Sequence, residues 1–524
     1  MNICAFNPPP SPSPKSLPTS VLQYLKLIDY KNINMNNKLK FYISLFFLSA
    51  SIQAQQIKVA YSSTAFDGVF SGKVLLYLSK DGKTPKDLGI GLPTLCCFAI
   101  EVSEIKPNTN VVFDDKAISF PVNLSDIERG EYYVQAVWDR NLGGRSIGNS
   151  VDNMFSEPIK IKFTKDYKET FSILCKQKIT APLFKETEYI KELKAPSRLL
   201  SSFYNRPATV DAAVILPKEY FQEPNRRFPV HFLVSGFGGD YHTDNYRFSN
   251  KEGMSIPLDT TACISVYLDG NCPTGHSTYA NSENNGPWGD ALVNEFIPLL
   301  EKKYRCNGGR LLSGHSSGGW TVLWLQVNYP TTFAGCWSSS PDPVDFRNFQ
   351  KVNLYADKNM FYDDKNELRI DATIAGRIPW IYLRDDYSIE GVIYRGEQYA
   401  SWNAVWGKKA KDGSPEKICN MKTGEIDRMV VEHWKAYDIS LLIRNNWLQL
   451  KPELDNKIRV STGNHDNYFL NKAVELLEVE TKKLNANFVY AYYPGDHFTL
   501  NYPEYKMAGY AFLEKSYVTW LSKK

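Results

Sequence analysis

The strongest constraint on how this 524-residue chain can fold is a pentapeptide set between two opposed patterns. Arg310-Leu311-Leu312-Ser313 is a short strand-like run, and Trp320-Thr321-Val322-Leu323-Trp324-Leu325 has helical character. Between them stands Gly314-His315-Ser316-Ser317-Gly318, a G-x-S-x-G sequence centred on Ser316. A strand that turns into a helix within a few residues projects the central side chain from a strained backbone. Bulky side chains two positions to either side would collide with the neighbouring strand and helix, so glycine is used there. The helix that follows points its N-terminus at the same place, which favours a developing oxyanion. The pattern predicts Ser316 as a nucleophile and the N–H of Ser317 as one oxyanion donor.

The surroundings fit such a turn. From about residue 200, short apolar runs alternate with amphipathic stretches: Ala212–Leu216, Val230–Val234, Cys263–Leu268, a helix over Ala291–Tyr304, the run before Ser316, Ala334–Trp337, Lys457–Ser461 and Phe488–Tyr492. This alternation predicts a doubly wound, mostly parallel sheet over 200–524. Residues 347–452 break the rhythm with polar turns, many aromatics and one helix from about Ile426 to Leu450. That stretch is too long for a loop and reads as an insertion, either a lid or a surface elaboration. Residues 55–165 read differently, as short strand-like runs separated by turn formers such as Lys80-Asp81-Gly82 and Arg129-Gly130-Glu131. They predict a small all-β, immunoglobulin-like sandwich, joined by a linker over 166–199. Upstream, a Pro/Ser tract precedes Met35; Lys38 and Lys40 then lead into the apolar run Phe41–Ala50 and the cleavage-like Ser51-Ile52-Gln53-Ala54. Residues 1–54 are therefore expected to be an upstream extension and a signal peptide over about 35–54. Translation is expected to start at Met35, and the mature chain is expected to be secreted or periplasmic.

The rest of a catalytic set can be sought from the elbow. A second oxyanion N–H should come from the loop after the third strand. Ser235-Gly236-Phe237-Gly238-Gly239 is that loop, with Phe237 as the better donor and Gly238 as the next candidate and a substrate contact. The acid and then the base follow the nucleophile in the chain in this arrangement, leaving His433, His465 and His497 as possible bases. His433 falls within the helix of the insertion. His497 lies in the loop after the last strand-like run, where it can reach the sheet's rim, and is the expected base. Asp466, 31 positions earlier and just past Lys457–Ser461, is the expected orienting acid. Asp496 is adjacent to His497 and badly placed for the ring's far nitrogen, while Asp342 and Asp345 remain alternatives.

Composition bounds the partners. A net charge of +4 over this length gives no electrostatic case for nucleic acid. The apolar run at 41–50 is too short to span a bilayer, and no cysteine follows the cleavage point, so no stable membrane anchor is expected. The nine cysteines show no metal-ligand spacing; Cys272 with Cys306 is the disulfide to test first. The mechanism requires neither a metal nor an organic cofactor. Trp288, Trp320 and Trp402 could line an aromatic or sugar subsite, although tryptophans beside a sheet are more often core. Oligomeric state is open.

Residues 200–350 and 457–515 resemble the "putative esterase" family of α/β-hydrolases, which includes esterase D-type, feruloyl and siderophore esterases. Four segments carry the likeness: Phe232–Gly239, Gly286-Pro287-Trp288-Gly289-Asp290 through Pro298, Gly314–Gly318, and Gly463-Asn464-His465-Asp466 with Gly495-Asp496-His497. The resemblance implies an α/β-hydrolase fold and ester hydrolysis through an acyl-enzyme, often of acyl groups on sugars, such as feruloylated or acetylated carbohydrate. The larger insertion and the added sandwich depart from the family pattern and leave the ester itself open. A serine peptidase of the same fold and a non-catalytic binding protein on this scaffold are the competing readings.

Overall fold

The computed structural model describes residues 56–88, 95–142, 144–164, 170–242, 252–374 and 376–524. The expected leader over 35–54 lies outside the described residues. Among the described residues no helix is long and apolar enough to cross a membrane.

The largest sheet has eight strands. In spatial order they are Ile190–Pro196, Thr209–Ile215, Ile264–Leu268, Phe228–Val234, Cys306–His315, Gly335–Ser339, Ile458–Gly463 and Val489–Tyr493. The first three run alternately, and every later neighbour is parallel. The central strands are continuous apolar runs because helices cover both faces, and every residue of Phe228–Val234 is buried. At one margin Ile190–Pro196 buries only Ile190, Leu193 and Ala195 and carries Lys191, Lys194 and Pro196. Charge and proline blunt such an edge.

This edge strand lies within the stretch 166–199 expected to be a linker. That stretch also contains Thr170–Cys175, which pairs in parallel with Gln56–Tyr61. The all-β region thus extends past 165 to Lys178, and the linker reading is corrected. Alternating residues such as Ile173 and Cys175 fill the core between two small sheets there.

The all-β region packs Val111–Phe113, Gln56–Tyr61 and Thr170–Cys175 against a seven-stranded sheet centred on Phe70–Ser79 and Gly130–Asp139. Ile57, Val59, Leu76, Phe98, Val134 and Trp138 fill the space between. The opposite face of the larger sheet is also covered. Leu75, Tyr77, Cys97 and Val137 meet Ile389, Val392 and Ile393 from the helix Leu383–Ile393 of the insertion. A buried ion pair reinforces the contact: Arg395 Nε and Nη2 donate to the two carboxylate oxygens of Asp139 at 2.7 and 2.6 Å, and Tyr394 Oη also donates to Asp139.

The insertion holds the hairpin Ile370–Ile374/Ile378–Tyr382 and several helices. The single helix expected over Ile426–Leu450 is two, Arg428–Trp434 and Ile439–Leu454. Asp427 and Asp438 break it, because each carboxylate accepts backbone N–H groups of the helix that follows. An aspartate so placed starts a helix rather than continuing one. The aromatic content is core: Trp320 stacks on Trp324 at 5.1 Å, and Trp406 lies 5.4 Å from Trp320 and 5.0 Å from Trp434.

Cys272 and Cys306 are both free, so the expected disulfide is absent. Cys306 starts its strand at the end where Phe228 begins, while Cys272 follows the far end of Ile264–Leu268. The sheet's length separates them.

Removing the Asp139 carboxylate leaves the Arg395 guanidinium buried without its counter-charge, at a cost of about 3–5 kcal/mol. Asp139→Ala is expected to unfold at clearly lower urea concentration than the parent. An unchanged midpoint would show that the ion pair does not hold the two parts together.

Candidate functional site

The strand Cys306–His315 passes into the helix Ser317–Asn328 through Ser316, whose φ is 58° and ψ −125°. A serine with positive φ is strained, and the surroundings must over-determine it. Ser316 N donates to Ser339 O at 2.9 Å, and Ser316 O accepts from Trp320 N at 3.0 Å. A Cβ on Gly318 would lie under 3.0 Å from the carbonyl oxygens of Val234 and Ser235, and one on Gly314 would meet Gly318 O as closely. At Gly319 it would sit 2.5 Å from Ser339 O. The obstacles are all backbone. Residues Ser317 to Val327 are buried, so the helix is locked in the core and its N-terminus is fixed behind Ser316.

The glycine-rich turn lies against the serine. A Cβ on Gly236 would be 3.2 Å from Ser316 Cβ, and Gly239 N closes the turn onto Gly236 O at 3.2 Å. Phe237 and Gly238 line the same cavity of about 830 Å³ as Ser316 and His497. Gly238 has φ 86°, which glycine adopts without strain.

His497 Nδ1 is 2.8 Å from Asp466 Oδ2, and both side chains are buried. The strands before them are neighbours, and their loops are stitched together. Asn464 N donates to Tyr493 O at 2.8 Å, and His465 N donates to Gly495 O at 3.0 Å. Asp466 Oδ1 accepts from the N–H groups of Tyr468 and Leu470, which fixes the carboxylate. The imidazole is boxed in by the rings of His315 at 4.5 Å, Tyr468 at 5.2 Å and Phe498 at 5.4 Å. Burial opposes a charged ring, but the Asp466 carboxylate outweighs it, and the His497 pKa lies above the ordinary histidine value. His315 lacks a bonded carboxylate, and burial pushes its pKa down to about 3. Ser316 Oγ has no hydrogen-bond partner among the described residues and faces the cavity.

The alternative acids are engaged elsewhere. Asp342 accepts from Ser317 Oγ at 2.7 Å and from Trp402 Nε1 at 3.0 Å, and burial raises its pKa to about 6. It therefore holds the first turn of the elbow helix against the insertion. Asp345 caps a short turn and pairs with Arg347 at 2.6 Å. Asp496 accepts from Phe498 N, Thr499 N and Thr499 Oγ1. His433 stays on its helix, and His465 is exposed.

Two expected substrate contacts are corrected. Trp320 is fully buried in the main core, and Trp288 is buried there with Nε1 donating to Tyr204 Oη at 3.2 Å. Neither lines the cavity. The same strand–helix packing that hid them leaves Trp402 on its wall. Sequence reasoning missed Asn467, Trp380 and Gln398. Asn467 Oδ1 accepts from His497 N at 2.9 Å, while its Nδ2 donates to Thr373 O at 2.7 Å, tying the loop of His497 to the insertion's hairpin. Trp380 and Gln398 line the cavity from the insertion. Adjacency to Asp466 could have drawn attention to Asn467; nothing in the local pattern marks the other two. Among the described residues no group of three His, Cys, Asp or Glu is arranged to hold a metal.

The model of a family described as "Putative esterase" matches residues 203–508. No curated protein matches the chain. Among solved structures the chain is similar to a ferulic acid esterase, at 15% identity over 63% of this chain and 99% of that one, with a TM-score of 0.36. It is also similar to FphF, a fluorophosphonate-binding serine hydrolase of Staphylococcus aureus, at 14% identity, covering 63% and 97%, with a TM-score of 0.34. A third is an S-formylglutathione hydrolase from Agrobacterium tumefaciens, at 13% identity, covering 64% and 96%, with a TM-score of 0.34.

The elbow's geometry carries a prediction of its own. Gly318→Ala must displace backbone rather than a side chain, so the cost is expected to exceed the roughly 3 kcal/mol of ordinary overpacking. The variant should fail to accumulate as soluble protein or melt far below the parent. Wild-type melting and activity would contradict the placement of this turn.

Proposed function

The chain belongs to the "Putative esterase" family, and from that premise we propose that it is a serine esterase working through a Ser316–His497–Asp466 triad on the α/β-hydrolase fold. The eight-strand order, mostly parallel with the nucleophile turn after a central strand, supports that fold, and the N-terminal module is read as an immunoglobulin-like sandwich. The observation that carries the triad is the pairing of His497 Nδ1 with Asp466. It leaves Nε2 as the ring atom to take the proton of Ser316.

Ser316 Oγ attacks the ester carbonyl as its proton passes to His497. The carbonyl oxygen gains negative charge and is met by the N–H groups of Ser317 and Phe237, with the elbow helix's N-terminus behind them. The alcohol leaves with the proton returned by His497, and water, deprotonated by the same imidazole, releases the acid from Ser316. Asp466 keeps the proton on Nδ1 throughout and stabilises the transient imidazolium.

For the substrate, the cavity's chemistry favours a polar, hydroxyl-rich partner. Ser146, Ser235 and Gln398 present polar side chains beside the rings of Trp380 and Trp402. Such a mix suits sugar hydroxyls and the apolar faces of sugar rings, so an acylated carbohydrate, free or polysaccharide-linked, is the proposed class. Export through the leader at 35–54 belongs to the same proposal.

The test is kinetic. His497 must be neutral to accept a proton, so kcat/KM on a 4-nitrophenyl ester should fall as pH drops through its raised pKa. The midpoint of that limb should lie above the ~6.5 of an ordinary histidine. Asp466→Asn removes the charge that raises it; the limb should move to lower pH and kcat should fall about 10⁴-fold. Ser316→Ala should lose about 10⁶-fold. Peptide amides turned over as fast as esters would point instead to a peptidase, and full activity in Ser316→Ala would end the proposal.

A further inference from the structure

One wall of the cavity comes from the all-β module. Arg145, in the segment after the strand Gly130–Asp139 of the all-β module, lines the cavity together with Ser316 and His497. The guanidinium carbon lies 4.5 Å from the centre of the Phe237 ring, and a Cβ on Gly238 would be 3.5 Å from Nη2. Arg145 thus rests on the turn assigned to the oxyanion. Its backbone is held there by the ion pair already described: Arg395, bonded to Asp139, donates to Gly144 O at 2.9 Å and to Pro273 O at 2.7 Å.

The side chain itself is under-used. A guanidinium carries five N–H donors, yet its one hydrogen bond among the described residues is a long one, from Nη1 to Gly396 O at 3.4 Å. No carboxylate comes within 4.0 Å of it among the described residues; Glu397, Asp240 and Asp269 act on it from farther away. Arg145 is half-buried, and that burial lowers its pKa. Glu397, the first of these carboxyls, is pushed up to about 7 by its own burial. A half-buried cation short of acceptors gains from a ligand that supplies them. A carboxylate fits best, because its two oxygens match the planar fork.

We propose that Arg145 binds a carboxylate carried by the ester substrate, so that the N-terminal module supplies a specificity-determining residue to the active site. The inference rests on the reading of Ser316 as the nucleophile of this cavity. It narrows the substrate to esters bearing an acidic group, such as esters of acidic sugars or half-esters of dicarboxylic acids. The module is then part of the enzyme's recognition surface. Asp139 and Arg395 position that residue without touching substrate.

Two matched pairs of esters test it with the full chain. The acyl side is probed by 4-nitrophenyl glutarate half-ester against 4-nitrophenyl pentanoate. The alcohol side is probed by 3-carboxyphenyl acetate against phenyl acetate. The expected result is a preference in kcat/KM for the acidic member of at least one pair. That preference should fall about 10- to 100-fold in Arg145→Gln, mainly through KM, and be partly kept in Arg145→Lys. Asp139→Asn should weaken the same preference without adding a charge to the cavity. No preference in the parent, or a preference that survives Arg145→Gln in a folded variant, overturns the inference. Loss of neutral-ester hydrolysis in Ser316→Ala reports separately on the nucleophile, so the two ideas can fail independently. Ester turnover unaffected by Ser316→Ala would remove both.

Discussion

Everything at the site depends on how closely the elbow crosses its neighbours. The carbonyl oxygens of Val234 and Ser235 lie where a Cβ at residue 318 would have to be, and the chain can pass only because that residue is glycine. The crossing forces Ser316 to φ 58° and aims its side chain at the cavity. It also brings the Ser235–Gly239 turn onto the serine, so that the same approach sets the proposed nucleophile and the proposed oxyanion turn. The strain is carried by a helix buried along its length and stacked through Trp320, Trp324 and Trp406 into the insertion. A less firmly packed helix would let the turn relax.

The insertion and the all-β module complete the site that the sheet begins. Helix Leu383–Ile393 covers the outer face of the seven-stranded sheet, and Arg395 immediately after it grips Asp139. The insertion in turn reaches His497 through Thr373 and Asn467, and reaches the elbow helix through Trp402, Asp342 and Ser317. Three parts of the chain that are far apart in sequence are therefore joined by buried polar contacts around one cavity. A buried polar contact is costly if broken, so each contact limits the freedom of its partners.

How much of this could be read from the sequence followed the range of the interactions. The elbow was legible because its constraint is local: two glycines, a serine and a change of periodicity within about fifteen residues. The central strands were legible because a sheet covered on both faces writes itself as apolar runs. Asp466 and His497 were reached by chain order and strand position, and the structure brings their side chains together. The edge strand Ile190–Pro196 and the strand Thr170–Cys175 were missed because only about half of each strand is apolar, which reads as linker when few residues are involved. Trp288 and Trp320 were indistinguishable from wall tryptophans because type alone does not say which side of a helix faces the cavity. Arg145 had no signal at all: its meaning comes from Phe237 and Gly396, both distant in the chain.

The proposed chemistry depends on which side chain is the nucleophile. The most direct measurement is to react the protein with a fluorophosphonate, digest it with trypsin and fragment the modified peptide by mass spectrometry. One adduct is predicted, on Ser316 within the peptide Leu311–Arg347, with none formed in Ser316→Ala or after acid unfolding. An adduct on any other residue, or equal labelling of the Ser316→Ala protein, would contradict the account.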